Sequence, residues 1–255
     1  MNFKEFKNYF KKDVAKKYNV KNSKNIYYTN NDLKIAYQKA VQFYKKSFNP
    51  ILLKQGNLKL EKNVLIWDLP SIITCKHACN GCYALKSERI YKNTRIMRAY
   101  HLAIVLMAID HKRKMSYLQK YLQNEIDEHV KNFKLPVIRV HSSGDFFNKK
   151  YLQLWLQIAM NNKSCNFYTY SKILTNSEID IINKIMTNFN IVKSLINGKF
   201  INFGDNEYIE KLVNICKQEK EPCHVCDYGQ KDSKMTCMGN CTACLYCSNV
   251  IFHKH

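Results

Sequence analysis

The sequence predicts an α/β protein: a partial βα barrel with a helical extension at one end and a cysteine-rich metal module at the other. Three observations carry this expectation. Through the middle of the chain, short apolar runs alternate with helical patterns, the texture of a parallel sheet joined by right-handed crossovers. The first 50 residues are Lys-rich with helical periodicity. From Cys216 onward cysteines crowd together and the periodicity stops.

The 255 residues divide into a basic helical extension (1–55), the barrel (56–212) and the metal module (213–255). Phe3, Phe6, Phe10 and Val14 repeat at helical spacing. A second helix is expected from about Asn31, capped by Asn31 or Asp32, through Leu33, Tyr37, Val41 and Tyr44 to Asn49-Pro50. NVLIWDLP (63–70) reads as a buried strand that delivers the chain towards Cys75. A long helical stretch runs from Arg95 to Lys131, with Leu102, Val105, Leu106 and Ile109 on its apolar face. Strands follow at 136–141, 166–170 and 191–196. The intervening helices run from Lys149 to Met160 and from Ser177 to Met186, the latter with Ser177 as its cap. In such folds chemistry collects at the C-terminal ends of the strands. Both Cys75 and SSGDFF (142–147) come just after strands, which puts them on one rim.

Charge narrows the partners. Lys+Arg exceeds Asp+Glu by 41 to 20, a net charge of +21. Residues 1–62 hold 15 lysines against four acids, about half of that excess. Such a surface attracts polyanions, nucleic acid foremost, although a solvated lysine face gives the same composition. Aromatic residues interleave with these lysines (Tyr9, Tyr18, Tyr27, Tyr28), which suits either stacking on bases or a helix core. There is no apolar run of about 18 residues, so no transmembrane span is expected. MNFKEFKNYFKKD has no apolar stretch of a secretory leader, so a cytoplasmic protein with no membrane partner is expected. Eleven cysteines without a leader argue for metal-bound thiolates rather than disulfides.

The sharpest motif is CKHACNGC, in which Cys75, Cys79 and Cys82 are spaced Cx3Cx2C. A structural zinc site wants four closed ligands. His77 sits between two of the cysteines, where reaching the same ion would be cramped. Three thiolates from one loop suit a [4Fe–4S] cluster, holding three irons and leaving the fourth open.

A Cx3Cx2C loop after the first strand of a βα barrel resembles the radical S-adenosylmethionine (radical SAM) superfamily. The resemblance implies a cluster whose open iron binds SAM, a 5′-deoxyadenosyl radical that abstracts hydrogen, and an electron donor. The superfamily's Gly-Gly-Glu-like element, which contacts SAM, has its counterpart here in Ser143, Gly144 and Asp145. Gly permits close backbone approach, and a carboxylate accepts hydrogen bonds from an ammonium. The chain departs from the pattern at Gly81, where an aromatic residue is usual, at Asp145 in place of Glu, and in its short barrel segment. A second resemblance covers about residues 50–255. GNLKL (56–60), LPSIITC (69–75), CYALK (82–86), VHSSGDFF (140–147), FYTYSK (167–172) and NFGD (202–205) together are similar to the gene product 88 family of phages and bacteria. This implies an architecture more than an activity.

The tail offers Cys223, Cys226, Cys237, Cys241, Cys244 and Cys247 as metal ligands in loops. Two CxxC-type pairs suit a zinc ribbon, while Cys241-x2-Cys244-x2-Cys247 has ferredoxin-like spacing for a second iron–sulfur cluster. Cys165 reads as a buried thiol. His141 either faces the site or is a hydrogen-bonded rim histidine, and Lys172 either meets an anion at the mouth or is solvated.

The expectation is therefore a radical SAM-like iron–sulfur enzyme that modifies DNA or RNA. The alternative is a non-catalytic iron–sulfur or zinc protein that binds nucleic acid, such as a phage replication or host-takeover factor.

Overall fold

In the computed structural model the described residues are 1–10, 28–55, 60, 62–75, 83–193, 195–196, 199–200, 223–226 and 249–252. Tyr83 and the last four of these segments are described as backbone. The elements are α1 (Phe3–Asn8), α2 (Asn30–Tyr44), β1 (Lys54–Gln55), β2 (Val64–Trp67), α3 (Ser71–Thr74), α4 (Tyr83–Ile90), α5 (Lys92–Ile109) and α6 (Lys112–Asn132). They continue with β3 (Val137–Val140), α7 (Lys149–Asn161), β4 (Asn166–Ser171), α8 (Asn176–Ile185), β5 (Phe189–Lys193), β6 (Leu195–Ile196), β7 (Lys199–Phe200), β8 (Cys223–Cys226) and β9 (Asn249–Phe252). The class is mixed α/β. Two compact units share the chain. One gathers Met1–Leu53, Trp67–Glu128 and His141–Ile158; the other gathers Lys54–Ile66, His129–Val140 and Ala159–His255.

The first unit is built on helices. Thr29, not Asn31, caps α2: its side chain accepts from the Asp32 N–H, and Asp32 returns the bond to Thr29. The same carboxylate pairs with Arg95 Nε at 3.2 Å, tying the start of α2 to α5. The two helices pack along each other, and Ala36, Ala40, Ala99 and Ala103 are all buried, small enough for axes to approach closely. The expected single helix over 95–131 is two, α5 and α6. The chain turns at Asp110 (φ −107°, ψ 18°), and His111 N–H bonds Ala108 O at 2.8 Å. The two halves differ in kind, which explains the break despite the absence of Gly or Pro. α5 is buried almost all round, whereas α6 buries only the stripe Leu118, Leu122 and Ile126 within this unit.

The second unit holds a seven-stranded sheet in the order β1-β2-β3-β4-β5-β9-β8. β1 is antiparallel to β2, while β3, β4, β5, β9 and β8 run parallel to their neighbours. The order has two ends, and among the described residues no pairing closes it into a ring. β6 and β7 form a separate antiparallel pair. β8 and β9 correct the expectation of loops throughout the tail. HVC and NVIF carry β-forming Val and Ile but are too short for alternation to show.

Parallel pairing gives the sheet two faces. Ile138, Val140, Phe167, Thr169, Ile191 and Lys193 lie on one and are all buried. α8 packs on β5, where the Asn183 side chain bonds both the N–H and C=O of Ile191 and Asp180 meets Lys193 Nζ at 2.8 Å. The cap of α8 is Thr175 rather than Ser177, and Glu178 closes its capping box.

Candidate functional site

The site grows from the end of β2. Trp67 stacks on His101 with ring centroids 4.0 Å apart, and His101 Nδ1 lies 3.0 Å from the Asp68 carbonyl. Pro70, with φ fixed near −57°, then starts the single-turn helix α3. Thr74 Oγ1 donates to the Pro70 carbonyl at 2.7 Å. Cys75 is the residue that ends this turn: its N–H still bonds Ser71 O at 2.9 Å, while its backbone is already extended. Cys75 is not in a disulfide and is half-buried.

The SSGD loop locks onto this segment. Leu69 N–H donates to Ser143 O at 2.9 Å, and Ser143 Oγ donates back to Leu69 O at 2.9 Å. Ser142 Oγ and Ser143 N–H both donate to the Asp68 carboxylate, at 2.7 and 3.0 Å to Oδ1. Gly144 has φ +92°, and a Cβ built there would lie 2.6 Å from Leu69 Cβ and 2.7 Å from Thr74 Oγ1. The expected closeness of the Cys75 strand end and the SSGD loop is thus present in the first unit. The close approach that requires glycine is to Leu69 and Thr74 of the chain itself. Asp145 is buried, with Oδ1 accepting from the Phe146 N–H at 2.7 Å.

Beneath the interlock lies a buried ionic triad that the motif search missed. Arg98 Nη2 reaches Asp68 Oδ2 at 3.1 Å and Arg98 Nη1 reaches Glu88 Oε1 at 3.0 Å. Glu88 also accepts from Ser71 N–H at 2.8 Å and Ser71 Oγ at 3.1 Å. One guanidinium therefore joins the end of β2, the start of α3 and the helix that follows the cysteine loop. Burial raises the Glu88 carboxyl above its usual range, with Arg98 and the Ser71 donors opposing. Burial disfavours the Arg98 charge, but Asp68 and Glu88 more than restore it. The available signal was an Arg inside the apolar run of α5 and an Asp directly after an apolar strand. Neither matches a motif, but a charge in such a setting demands a partner.

His141, at the turn from β3 into the loop, has φ +71° and is buried. Its Nε2 lies 2.6 Å from Tyr151 Oη, so it is a hydrogen-bonded histidine sealed from solvent. Burial lowers it to about 3, only partly opposed by Asp68, which leaves the ring neutral.

Of the proposed ligands, Cys75 alone is described with its side chain. Cys79, Cys82, Cys237, Cys241, Cys244 and Cys247 lie outside the described residues, and Cys223 and Cys226 are described as the backbone ends of β8. Among the described residues no group of three or more His, Cys, Asp or Glu is arranged to hold a metal ion. The contrast between two thiols is informative. Cys165 is fully buried and pushed up to about 12, which suits an inert core thiol, whereas half-buried Cys75 sits at a segment end where a metal could reach it. Among the described residues no helix is long and apolar enough to cross a membrane.

A family model for gene product 88 matches residues 51–247. The chain belongs to the gene product 88 family. The match includes LPSIITC, the SSGD loop and five of the six tail cysteines up to Cys244, ending on the sixth, Cys247. No curated protein and no solved structure matches this family member. The interlock of Asp68, Leu69, Ser143 and Gly144 therefore has to be interpreted from its own chemistry.

Proposed function

We propose that this gene product 88 protein is an iron–sulfur enzyme of radical SAM type, in a partial βα barrel, that modifies a nucleic acid. The observation that carries the reading is the two-way hydrogen bonding of Leu69 with Ser143 beside Gly144. It fixes a glycine-containing loop against the segment ending at Cys75. Cluster chemistry needs such rigidity, because ligands are held to geometry by the residues behind them. Asp68, Glu88 and Arg98 are the positioning residues here.

In this reading Cys75, Cys79 and Cys82 hold a [4Fe–4S] cluster, and Ser143, Gly144 and Asp145 line the SAM site. Ser143 acts by shaping the loop, since its hydroxyl is engaged by Leu69, and Asp145 supplies a carboxylate. A [4Fe–4S] cluster with SAM on its open iron supplies a 5′-deoxyadenosyl radical that abstracts a hydrogen atom from the substrate. Cys223, Cys226, Cys237, Cys241, Cys244 and Cys247 hold a second cluster or zinc. The net charge of +21 supports a nucleic-acid partner.

The test is anaerobic purification, iron, sulfide and zinc analysis, and electron paramagnetic resonance of the reduced protein with and without SAM. A cluster signal that changes with SAM, together with release of 5′-deoxyadenosine that Cys79→Ala abolishes, supports the enzyme. Zinc alone, or a cluster indifferent to SAM, moves the reading to a metal-stapled nucleic-acid-binding protein, which the same charge would serve.

A further inference from the structure

The second face of the sheet has an unusual composition. A parallel sheet in an α/β protein normally presents apolar side chains on both faces, since helices cover both. Here the face opposite Ile138, Phe167 and Ile191 carries Arg139, Tyr168 and Asn190 in one row. Arg139 is the register partner of Tyr168, and Tyr168 is that of Asn190, so the three sit side by side across β3, β4 and β5. At about 4.8 Å per strand spacing the row is about 10 Å wide. Tyr170 follows two residues further towards the C-terminal end of β4, on the same face.

The two rings bracket the guanidinium. Arg139 Cζ lies 5.9 Å from the centroid of Tyr168 and 5.8 Å from that of Tyr170, and the rings meet at 79°, forming a corner rather than a stack. At this range cation–π attraction orients a guanidinium without neutralising it, and it engages the flat faces rather than the N–H edge. The tyrosines differ in exposure. Tyr168 is buried with Val64 and Val137, whereas Tyr170 and Arg139 are half-buried and reachable. Lys172, also half-buried, adds a positive charge one residue past the strand.

We infer that this face is a nucleotide-binding site for single-stranded nucleic acid. A base stacks on Tyr170, Arg139 and Asn190 offer hydrogen bonds to its edge, and Lys172 meets a phosphate. A flat ring, an oriented guanidinium and a carboxamide in one row are the elements that recognise unstacked bases, and cations beside them suit the backbone. Ligands of parallel sheets also gather at the carboxyl ends of the strands, where Tyr170 and Lys172 lie. The inference deepens the nucleic-acid part of the function proposed above and does not depend on radical chemistry.

The test is fluorescence anisotropy of the full-length, metal-replete protein with short fluorescein-labelled single-stranded DNA and RNA oligonucleotides over a range of salt. Tyr170→Leu should weaken binding roughly tenfold or more while leaving the salt slope unchanged, and Tyr170→Phe should keep most of the affinity. Lys172→Gln should lower the log–log salt slope by about 1. Arg139→Lys keeps the charge but loses the planar fork, so it should weaken binding with the slope retained. Circular dichroism melts check folding, and the conservative Tyr170→Phe and Arg139→Lys pair keeps the test valid should Tyr170→Leu unfold. Parent-like binding by folded Tyr170→Leu, Arg139→Lys and Lys172→Gln would overturn the site while leaving the nucleic-acid partner intact. No binding of either oligonucleotide by the parent would overturn both. Release of 5′-deoxyadenosine without substrate, measured in parallel, reports on the radical reading alone.

Discussion

Gly144 and Thr74 are closer than any side chain would allow: a Cβ on Gly144 would come within 2.7 Å of Thr74 Oγ1. That hydroxyl cannot swing aside without breaking its bond to the Pro70 carbonyl. The glycine loop and the one-turn helix before Cys75 are thus fitted to each other through backbone that has little freedom to yield. Gly144→Ala should cost about 2–5 kcal/mol, combining the left-handed φ with overpacking. Urea unfolding measures the stability, and iron content measures whether the neighbouring metal site is lost with it. A variant as stable as the parent would mean that the loop can withdraw from Thr74.

Arg98 should be the least replaceable residue outside the cysteine loop. Arg98→Met leaves the Asp68 and Glu88 carboxylates buried without their cation, at a cost of about 3–5 kcal/mol. The deficit should shrink on mild acidification. Without Arg98 both carboxyls have folded-state pKa values above their unfolded ones, so proton uptake favours the folded form as pH falls through the raised values. Adding Asp68→Asn and Glu88→Gln to Arg98→Met should recover part of the loss. Denaturant midpoints at two pH values decide this, and a deficit independent of pH would argue against the triad.

Much of this arrangement was legible in the sequence, and what was missed shares a cause. Helix and strand positions in the middle of the chain followed from periodicity, as for Val137–Val140 and Lys149–Asn161. The proximity of Cys75 to SSGD followed from both lying after strands. Hidden were the details set by side-chain reciprocity. Thr29 and Thr175 outrank Asn31 and Ser177 as caps because Asp32 and Glu178 stand three residues after them, returning the bond. The Asp68–Arg98–Glu88 triad was not visible because its members are 30 and 10 residues apart and form no motif. Arg139 looked unremarkable between Ile138 and Val140. Its meaning appears only when strand pairing sets Tyr168 opposite it.

The cysteines should separate cleanly by role. Cys75→Ala and Cys82→Ala should each remove the iron assigned to the first site, whereas Cys165→Ala should leave metal content unchanged. Cys165 is fully buried, its thiol is pushed up to about 12, and its sulfur contacts only the Asn166 carbonyl, at 3.8 Å. Metal analysis alongside thiol alkylation reads both properties, with Cys165 expected to react only after unfolding. Iron loss in Cys165→Ala without a fall in stability would refute this division.

His141 should give the fold an acid-sensitive component. Burial holds its folded pKa at about 3 against an unfolded value of about 6.5, so between these limits the unfolded chain binds more protons. Stability must then fall as pH drops from about 6.5 towards 3, approaching about 1.4 kcal/mol per pH unit for this one group. Glu88 acts in the opposite sense, because burial raises its folded pKa and proton uptake there favours the folded form at the acid end. His129, also lowered by burial, adds to the same trend as His141. Comparison with a variant isolates the one contribution. His141→Asn tolerates the left-handed backbone at φ +71° and removes the titrating ring. Its stability between pH 6.5 and 4 should be flatter than the parent's even if lower overall through loss of the bond to Tyr151. Equal slopes for the two proteins in pH-dependent denaturation would show that His141 takes up its proton as readily folded as unfolded, and so is not sealed behind Tyr151 in solution.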